Sequence, residues 1–202
     1  MKNLAHFFFE VGMLKRTPRT GFQFLGSGAE SVAEHSFRTA VIGFTLARLD
    51  GQADVGRVLQ LCLFHDIPEA RLGDLNYVNK KYVKVDEQRA VDDLAATLPF
   101  GEEYRQTLAE FAGRETRESL LAHDADQLEM ILALKEYKDL GNRYADEWYP
   151  FAVRRLKTEL ARRLAGDIWA TDSTRWWFDE DSDWWVNGSH GTNPVDGSED
   201  KC

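Results

Sequence analysis

Apolar positions recur every three to four residues along most of this chain, and no stretch alternates as a half-buried strand would, so the pattern predicts an all-α bundle. Phe7, Phe8, Val11 and Leu14 place a short amphipathic helix over residues 4–14, weakened by Gly12. Ser31-Val32-Ala33-Glu34 reads as a capping box, so a helix begins near Ser31. It carries His35 in its opening turn and Phe37, Ala40, Val41 and Phe44 on its apolar side, with Asp50-Gly51 as its stop. Residues 58–72 are apolar almost all round, which predicts a helix at the centre of the bundle. Pro68 should bend or locally open it, and Gly73 should end it and throw Asp74 into the next loop. Residues 76–82 show no clear period and read as a loop or broken helix at the mouth of a cleft. Two polar-faced helices follow over residues 85–98 and 102–111, separated by Pro99-Phe100-Gly101. A long helix over residues 116–140 has a broad apolar surface of Leu120, Leu121, Leu128, Ile131, Leu132 and Leu134. The last amphipathic helix spans residues 151–164.

Chemistry enters where polar residues interrupt these apolar runs. Leu61-Cys62-Leu63-Phe64 ends abruptly in His65-Asp66, followed by Pro68-Glu69. A carboxylate at the edge of a core needs a cation or hydrogen-bonding partner, and imidazole and carboxylate are both ligands for divalent metals. On a helix, Glu69 lies one turn from His65 and three residues from Asp66, so the three project from neighbouring faces. The long helix is interrupted by Asp124 and Asp126, which point to nearly opposite sides. Periodicity does not choose between them, because each shares its side with apolar neighbours. Lys15-Arg16-Thr17-Pro18-Arg19-Thr20-Gly21 must leave helical geometry and forms the one compact basic patch in the first hundred residues. Its guanidinium forks suit phosphoryl oxygens.

The 202 residues suffice for one hydrophobic core, and 43% hydrophobic with 29% charged residues is a globular balance. A formal net charge of −9 argues against a nucleic-acid polymer or an anionic membrane as partner, since both need a basic surface. Cys62 and Cys202 suggest neither a disulfide framework nor a zinc ribbon. No apolar run is long enough to span a bilayer, and a cytoplasmic protein is expected. Past Asp167 the composition changes. Trp169, Trp176, Trp177, Trp184 and Trp185 alternate with aspartates, and from Asn187 glycine, serine and asparagine dominate. The expected division is therefore a helical domain over 1–166 and a tryptophan-rich acidic extension over 167–202, disordered at its end, whose tryptophans are expected to pack on the domain, with a lid over the cleft or a cover for a neighbouring subunit as the alternatives.

Taken in order, Leu14-Lys15-Arg16-Thr17-Pro18-Arg19-Thr20-Gly21, Glu30-Ser31-Val32-Ala33-Glu34-His35, His65-Asp66 with Pro68-Glu69, Gly73-Asp74-Leu75 and Asp126-Gln127-Leu128-Glu129-Met130-Ile131-Leu132 form an H…HD…D constellation. Over about residues 1–165 the chain resembles the HD-domain metal-dependent phosphohydrolases, and within them the small 5'-deoxynucleotidases. The resemblance implies one divalent metal ion (manganese, cobalt, iron, magnesium or zinc) held by His35, His65, Asp66 and Asp126. Asp126 is chosen because the family's aspartate precedes the Gln-x-x-Glu-Met-Ile-Leu run. This chain departs from its relatives just upstream, with His123 and Asp124 where they have lysine and glutamine. The implied reaction is removal of the 5'-phosphate from (deoxy)nucleoside monophosphates by metal-activated water. Glu69 would orient the water and Asp74 would protonate the leaving oxygen or position the sugar. Arg16 would neutralise the phosphate, with Arg19 and Lys81 beside it, and Phe22 or Tyr77 would stack on the base. The family habit is a homodimer. The alternatives are hydrolysis of a nucleoside triphosphate or signalling nucleotide, a di-iron oxygenase drawing on spare histidines such as His123, and a non-catalytic module with a structural metal.

Overall fold

The computed structural model describes residues 2–178, 181–182 and 184–188, and among these every regular element is helical. The chain divides into two compact units, Met1–Ala170 and Thr171–Cys202.

In the first unit, α1 (Lys2–Val11) leads through a 3₁₀ turn (Gly12–Lys15) to the basic loop and a second 3₁₀ turn (Thr20–Leu25). Then come α2 (Val32–Asp50), α3 (Val55–Phe64), α4 (Glu69–Leu72), α5 (Asn79–Tyr82), α6 (Glu87–Ala95), α7 (Gly101–Gly113), α8 (Arg117–Asp139), α9 (Ala145–Arg155) and α10 (Glu159–Ala170). Helices α2, α3 and α8 form the centre, with α9 and α10 packed on α8. Leu46, Leu61, Leu121, Leu128, Ile131 and Leu134 fill it, each fully buried and each contributing about 1.5–3 kcal/mol by leaving water. A second cluster of Phe7, Leu14, Val32, Ile67, Leu94 and Tyr104 ties α1 and α4 to α6 and α7.

The capping box forms as expected: Ser31 Oγ accepts from the Glu34 amide while the Glu34 carboxylate accepts from the Ser31 amide at 2.7 Å. The apolar side expected for α2 is corrected. Ala40 is buried, but Phe37, Val41 and Phe44 are 71%, 52% and 46% exposed, and the buried face carries His35, Ser36, Thr39, Gly43, Leu46 and Ala47. The cause is close approach. A Cβ at Gly43 would lie 2.5 Å from Cys62 Sγ, so α2 meets α3 through small and polar residues. Phe8, expected to pack inward with Phe7, is 67% exposed.

The helix expected over 58–72 is two helices with a break at 65–68. The apolar residues on either side go to different clusters: Leu61 and Cys62 to the first, Phe64 and Ile67 to the second. Pro68 stands at the start of α4, where its missing amide leaves no helical bond unmade. Gly73, at φ +73°, ends α4 and releases Asp74 into the loop. The helix expected over 151–164 is likewise two, because α9 begins earlier and the chain breaks at Leu156-Lys157-Thr158. The buried Asp124 carboxylate accepts from the amides of Lys157 (2.6 Å) and Thr158 (2.8 Å) and from the Thr158 hydroxyl (2.7 Å), which fixes the start of α10.

Trp169, on α10, stacks on Tyr149 with centroids 4.0 Å apart, beneath the Lys138 ammonium. In the second unit a short helix, Trp184–Asn187, accompanies aromatic contacts of Trp185 with Trp177 and Phe178. The end expected to be disordered lies outside the described residues from 189 onward. Among the described residues, no helix is long and apolar enough to cross a membrane.

Candidate functional site

Three elements meet where α3 breaks. His35 stands in the first turn of α2, His65-Asp66 at the break, and Asp126 in the middle of α8. His35 Nε2 lies 3.3 Å from Asp126 Oδ1 and 3.4 Å from Asp66 Oδ2, and His65 Nε2 lies 3.2 Å from the same Asp66 oxygen. One nitrogen each from His35 and His65 and one oxygen from Asp126 all fall within 4.8 Å of one another.

Both imidazoles present the same edge to this point, for the same reason. His65 Nδ1 is 2.8 Å from the Cys62 carbonyl, which can only accept, so Nδ1 carries a hydrogen. His35 Nδ1 is 2.6 Å from Glu129 Oε2, in a fully buried pair. The Nε2 atoms are thereby left to face each other and the two aspartates, the arrangement in which imidazole ligates a metal. His65 Nε2 and Asp66 Oδ2 are buried and, despite their 3.2 Å separation, are not aligned as a hydrogen bond. Two imidazole nitrogens and two carboxylates, with His65 Nε2 and Asp66 Oδ2 left unsatisfied among them, fit a divalent cation.

The electrostatics show how strongly the four groups depend on one another. Burial opposes a charge on His35, but hydrogen bonds to Asp126 and Glu129 outweigh it and push its pKa up to about 10. Burial likewise opposes a charge on His65, and Asp66 outweighs it in the same direction. Burial works to raise the Asp66 and Asp126 carboxyls, but the neighbouring imidazoles hold both below the usual carboxylate range. Glu69 differs. Burial, then the like charges of Asp66 and Asp74, push its pKa up to about 9, and its Oε2 is buried without a hydrogen-bond partner.

Around the cluster, the sequence-derived candidates separate. The buried Asp124 is occupied by the start of α10, which leaves Asp126 as the α8 aspartate at the cluster. Arg19 reaches it, with Nη1 3.7 Å from Asp66 Oδ2. Two backbone bonds set its loop beside the start of α2, from the Arg19 amide to Glu30 O (2.8 Å) and from the Val32 amide to Thr17 O (2.9 Å). The Thr20 amide adds a bond to Asp74 Oδ2 at 2.9 Å, so Asp74 ties the arginine loop to the loop after α4. Arg16 is brought to none of these groups. It is exposed at the end of the first 3₁₀ turn. Lys81 turns to Tyr77, donating to its hydroxyl at 2.9 Å, while the adjacent Lys80 lines a cavity of about 320 Å³ with His65, Asp66, Glu69 and Arg114. Phe22, expected to stack on a base, is buried against Tyr137 in the core. His123 is buried 5% exposed on α8 and forms no part of the cluster.

Sequence reasoning missed the outer support. Glu129 Oε1 accepts from Arg38 Nε (3.0 Å) and Nη2 (2.7 Å), and Arg38 Nη1 reaches Glu136 at 2.5 Å. The signal was present as two matching intervals: Arg38 is three residues after His35 on α2, and Glu129 three after Asp126 on α8. Each helix thus presents one cluster residue and one supporting residue on one face.

An HD domain family model matches residues 11–169. The 5'-deoxynucleotidase HDDC2 of Bos taurus is 33% identical over 148 residues, covering 70% of this chain and 71% of that protein. Among solved structures, a conserved hypothetical protein from Pyrococcus furiosus superposes with a TM-score of 0.69 at 31% identity, covering 81% of this chain and 96% of that one. A predicted metal-dependent phosphohydrolase from Magnetospirillum magnetotacticum gives 0.67 at 25% identity, covering 83% and 89%. With its H…HD…D residues gathered at one buried point, the chain belongs to the HD domain family and is a metal-dependent phosphohydrolase.

Proposed function

We propose that the protein removes the 5'-phosphate from (deoxy)nucleoside monophosphates, with His35, His65, Asp66 and Asp126 as the ligands of one divalent metal ion. The observation that carries this reading is the convergence of four ligand-type side chains linked by contacts of 3.2–3.4 Å, with His65 Nε2 and Asp66 Oδ2 buried and satisfied by no hydrogen bond. The bovine relative's name, 5'-deoxynucleotidase, supports the substrate class. A divalent ion held there supplies polarisation of a phosphoryl oxygen and a lowered pKa for water.

The chain's own residues account for the remaining needs of the reaction. Arg19, beside Asp66 and largely withdrawn from solvent, offers its guanidinium fork to the phosphoryl oxygens. Glu69 accepts the proton of the attacking water at its unsatisfied Oε2. Its raised pKa belongs to the ion-free protein. A bound cation would offset the Asp66 charge that contributes to this push, which would favour the carboxylate form of Glu69. Asp74, through Thr20, holds the arginine loop in place and serves the leaving sugar oxygen from the loop after α4.

Phosphate release from deoxy- and ribonucleoside monophosphates, measured across several divalent metals, tests this reading. We expect release that depends on added metal and stops with a chelator. Cleavage of triphosphates without release from any monophosphate would reject it.

A further inference from the structure

A second cavity, of about 590 Å³, lies along the chain from the charged cluster and has a different character. Its walls are Phe24 from the second 3₁₀ turn, Tyr77 from the loop after α4, Met130 on α8, and Trp148, Phe151 and Arg155 on α9. Phe24, Tyr77 and Phe151 are 50%, 67% and 59% exposed, so rings worth burying are left facing a concave space. Among the described residues, Phe24, Tyr77 and Trp148 make no ring-to-ring stack.

The cavity is joined to the reacting end by three routes. Met130 lies one turn beyond Asp126 on the same face of α8. Tyr77 follows Asp74 by three residues, and Gly21 in the cavity wall follows the Thr20 that holds Asp74. Arg155 contacts Gln127 Oε1 at 3.4 Å, and Gln127 donates to Asp126 Oδ2 at 2.8 Å, a relay from the cavity to the cluster. By contrast, the cavity lined by His65, Asp66 and Glu69 has Lys80 and Arg114 in its wall and shares no lining residue with the aromatic one. A molecule with an anionic end and a flat aromatic end has a matching environment for each.

We propose that the Phe24–Tyr77–Trp148–Phe151 cavity is the nucleobase subsite, where the base stacks on these rings and Arg155 donates to acceptors on its edge. The volume falls in the range of small-molecule sites and accommodates a base with its sugar. Because ring stacking is nearly indifferent to base identity while arginine only donates, the subsite accepts several bases and favours those with a carbonyl or ring nitrogen on the exposed edge. This assignment rests on the nucleoside monophosphate reading above.

The test uses the full-length, metal-loaded protein and the variants Phe151→Ala, Tyr77→Ala and Arg155→Ala, all at exposed positions that leave the core intact. For each, kcat/KM is measured for a deoxynucleoside monophosphate and for deoxyribose 5-phosphate, the same ester without a base. The ratio of the two is expected to fall about 10-fold in Phe151→Ala and Tyr77→Ala. A ratio within about 2-fold of the parent in all three variants overturns the subsite. In parallel, binding of the phosphate-free deoxynucleoside is followed by ligand-detected NMR. Binding that weakens in the variants supports the subsite even if no monophosphate is hydrolysed, and parent protein that hydrolyses monophosphates with an unchanged ratio in every variant removes the subsite while leaving the reaction standing.

Discussion

The seam between α2 and α8 and the break between α3 and α4 each bring ligand-type residues to the cluster, but in opposite states of satisfaction. On the seam, His35 is held by Glu129, Glu129 by Arg38, and Arg38 by Glu136, so the charges there are already paired. At the break, His65 Nε2, Asp66 Oδ2 and Glu69 Oε2 are buried without hydrogen-bond partners. A buried polar atom left unpaired costs about 1–3 kcal/mol, more when charged, so the break retains this cost only if something that binds there offsets it. On the proposed reading, the seam holds its two ligands, His35 and Asp126, in place, and the break supplies the unsatisfied atoms that would receive a cation.

The largest expected effect comes from destroying the contrast. Asp126→Ala removes the α8 carboxylate from the cluster and should lower kcat/KM on the order of 10³-fold or more, measured with saturating metal. Asp124→Ala, two residues away, should leave most activity but cost about 2–4 kcal/mol in urea denaturation, because it abandons three donors at the start of α10. Glu129→Gln sharpens the comparison from the scaffold side. Glutamine leaves a single uncharged acceptor oxygen for both His35 Nδ1 and Arg38, so His35 is oriented less firmly and metal binding should weaken about 10–100-fold by chelator competition, with the fold preserved.

The pH dependence follows from the raised histidines. In the ion-free protein, His35 keeps its proton up to a pKa of about 10 against an ordinary 6.5. A group whose pKa rises on folding stabilises the fold fully below its unfolded value, so this contribution is complete below pH 6.5 and is lost as pH climbs through about 10. The metal needs Nε2 without its proton, so metal affinity moves the opposite way and increases as pH rises from 6 to 8. Calorimetric titrations in buffers of different ionisation enthalpy should show protons released on binding. The smallest effect separates the two arginines of the basic loop. Arg19→Ala should raise KM for a monophosphate about 10-fold or more, and Arg16→Ala by less than about 2-fold, since only Arg19 pairs with Asp66.

Much of this was legible in the sequence wherever a residue type had one physical use. The capping box at Ser31-Glu34, the stop at Gly73 and the H…HD…D order all specify local geometry or ligand chemistry directly. What hid were outcomes decided by tertiary contact. The exposure of Phe37, Val41 and Phe44 depends on Gly43 letting α2 press against Cys62, which periodicity cannot register. Asp124 and Asp126 were equivalent until the start of α10, more than thirty residues on, claimed the first of them. The split between α9 and α10 was invisible for the same reason, since its cap comes from a carboxylate distant in sequence. Arg16 and Arg19 are separated by the backbone bonds that pin residues 17–19 to residues 30–32 and by the Thr20 bond to Asp74, all of them tertiary.

The most direct test of the central claim is anomalous scattering from crystals grown with manganese. The account predicts one strong peak about 2.0–2.3 Å from His35 Nε2, His65 Nε2 and oxygens of Asp66 and Asp126. No peak at that point, with the protein still releasing phosphate from a monophosphate in the presence of a chelator, would contradict it.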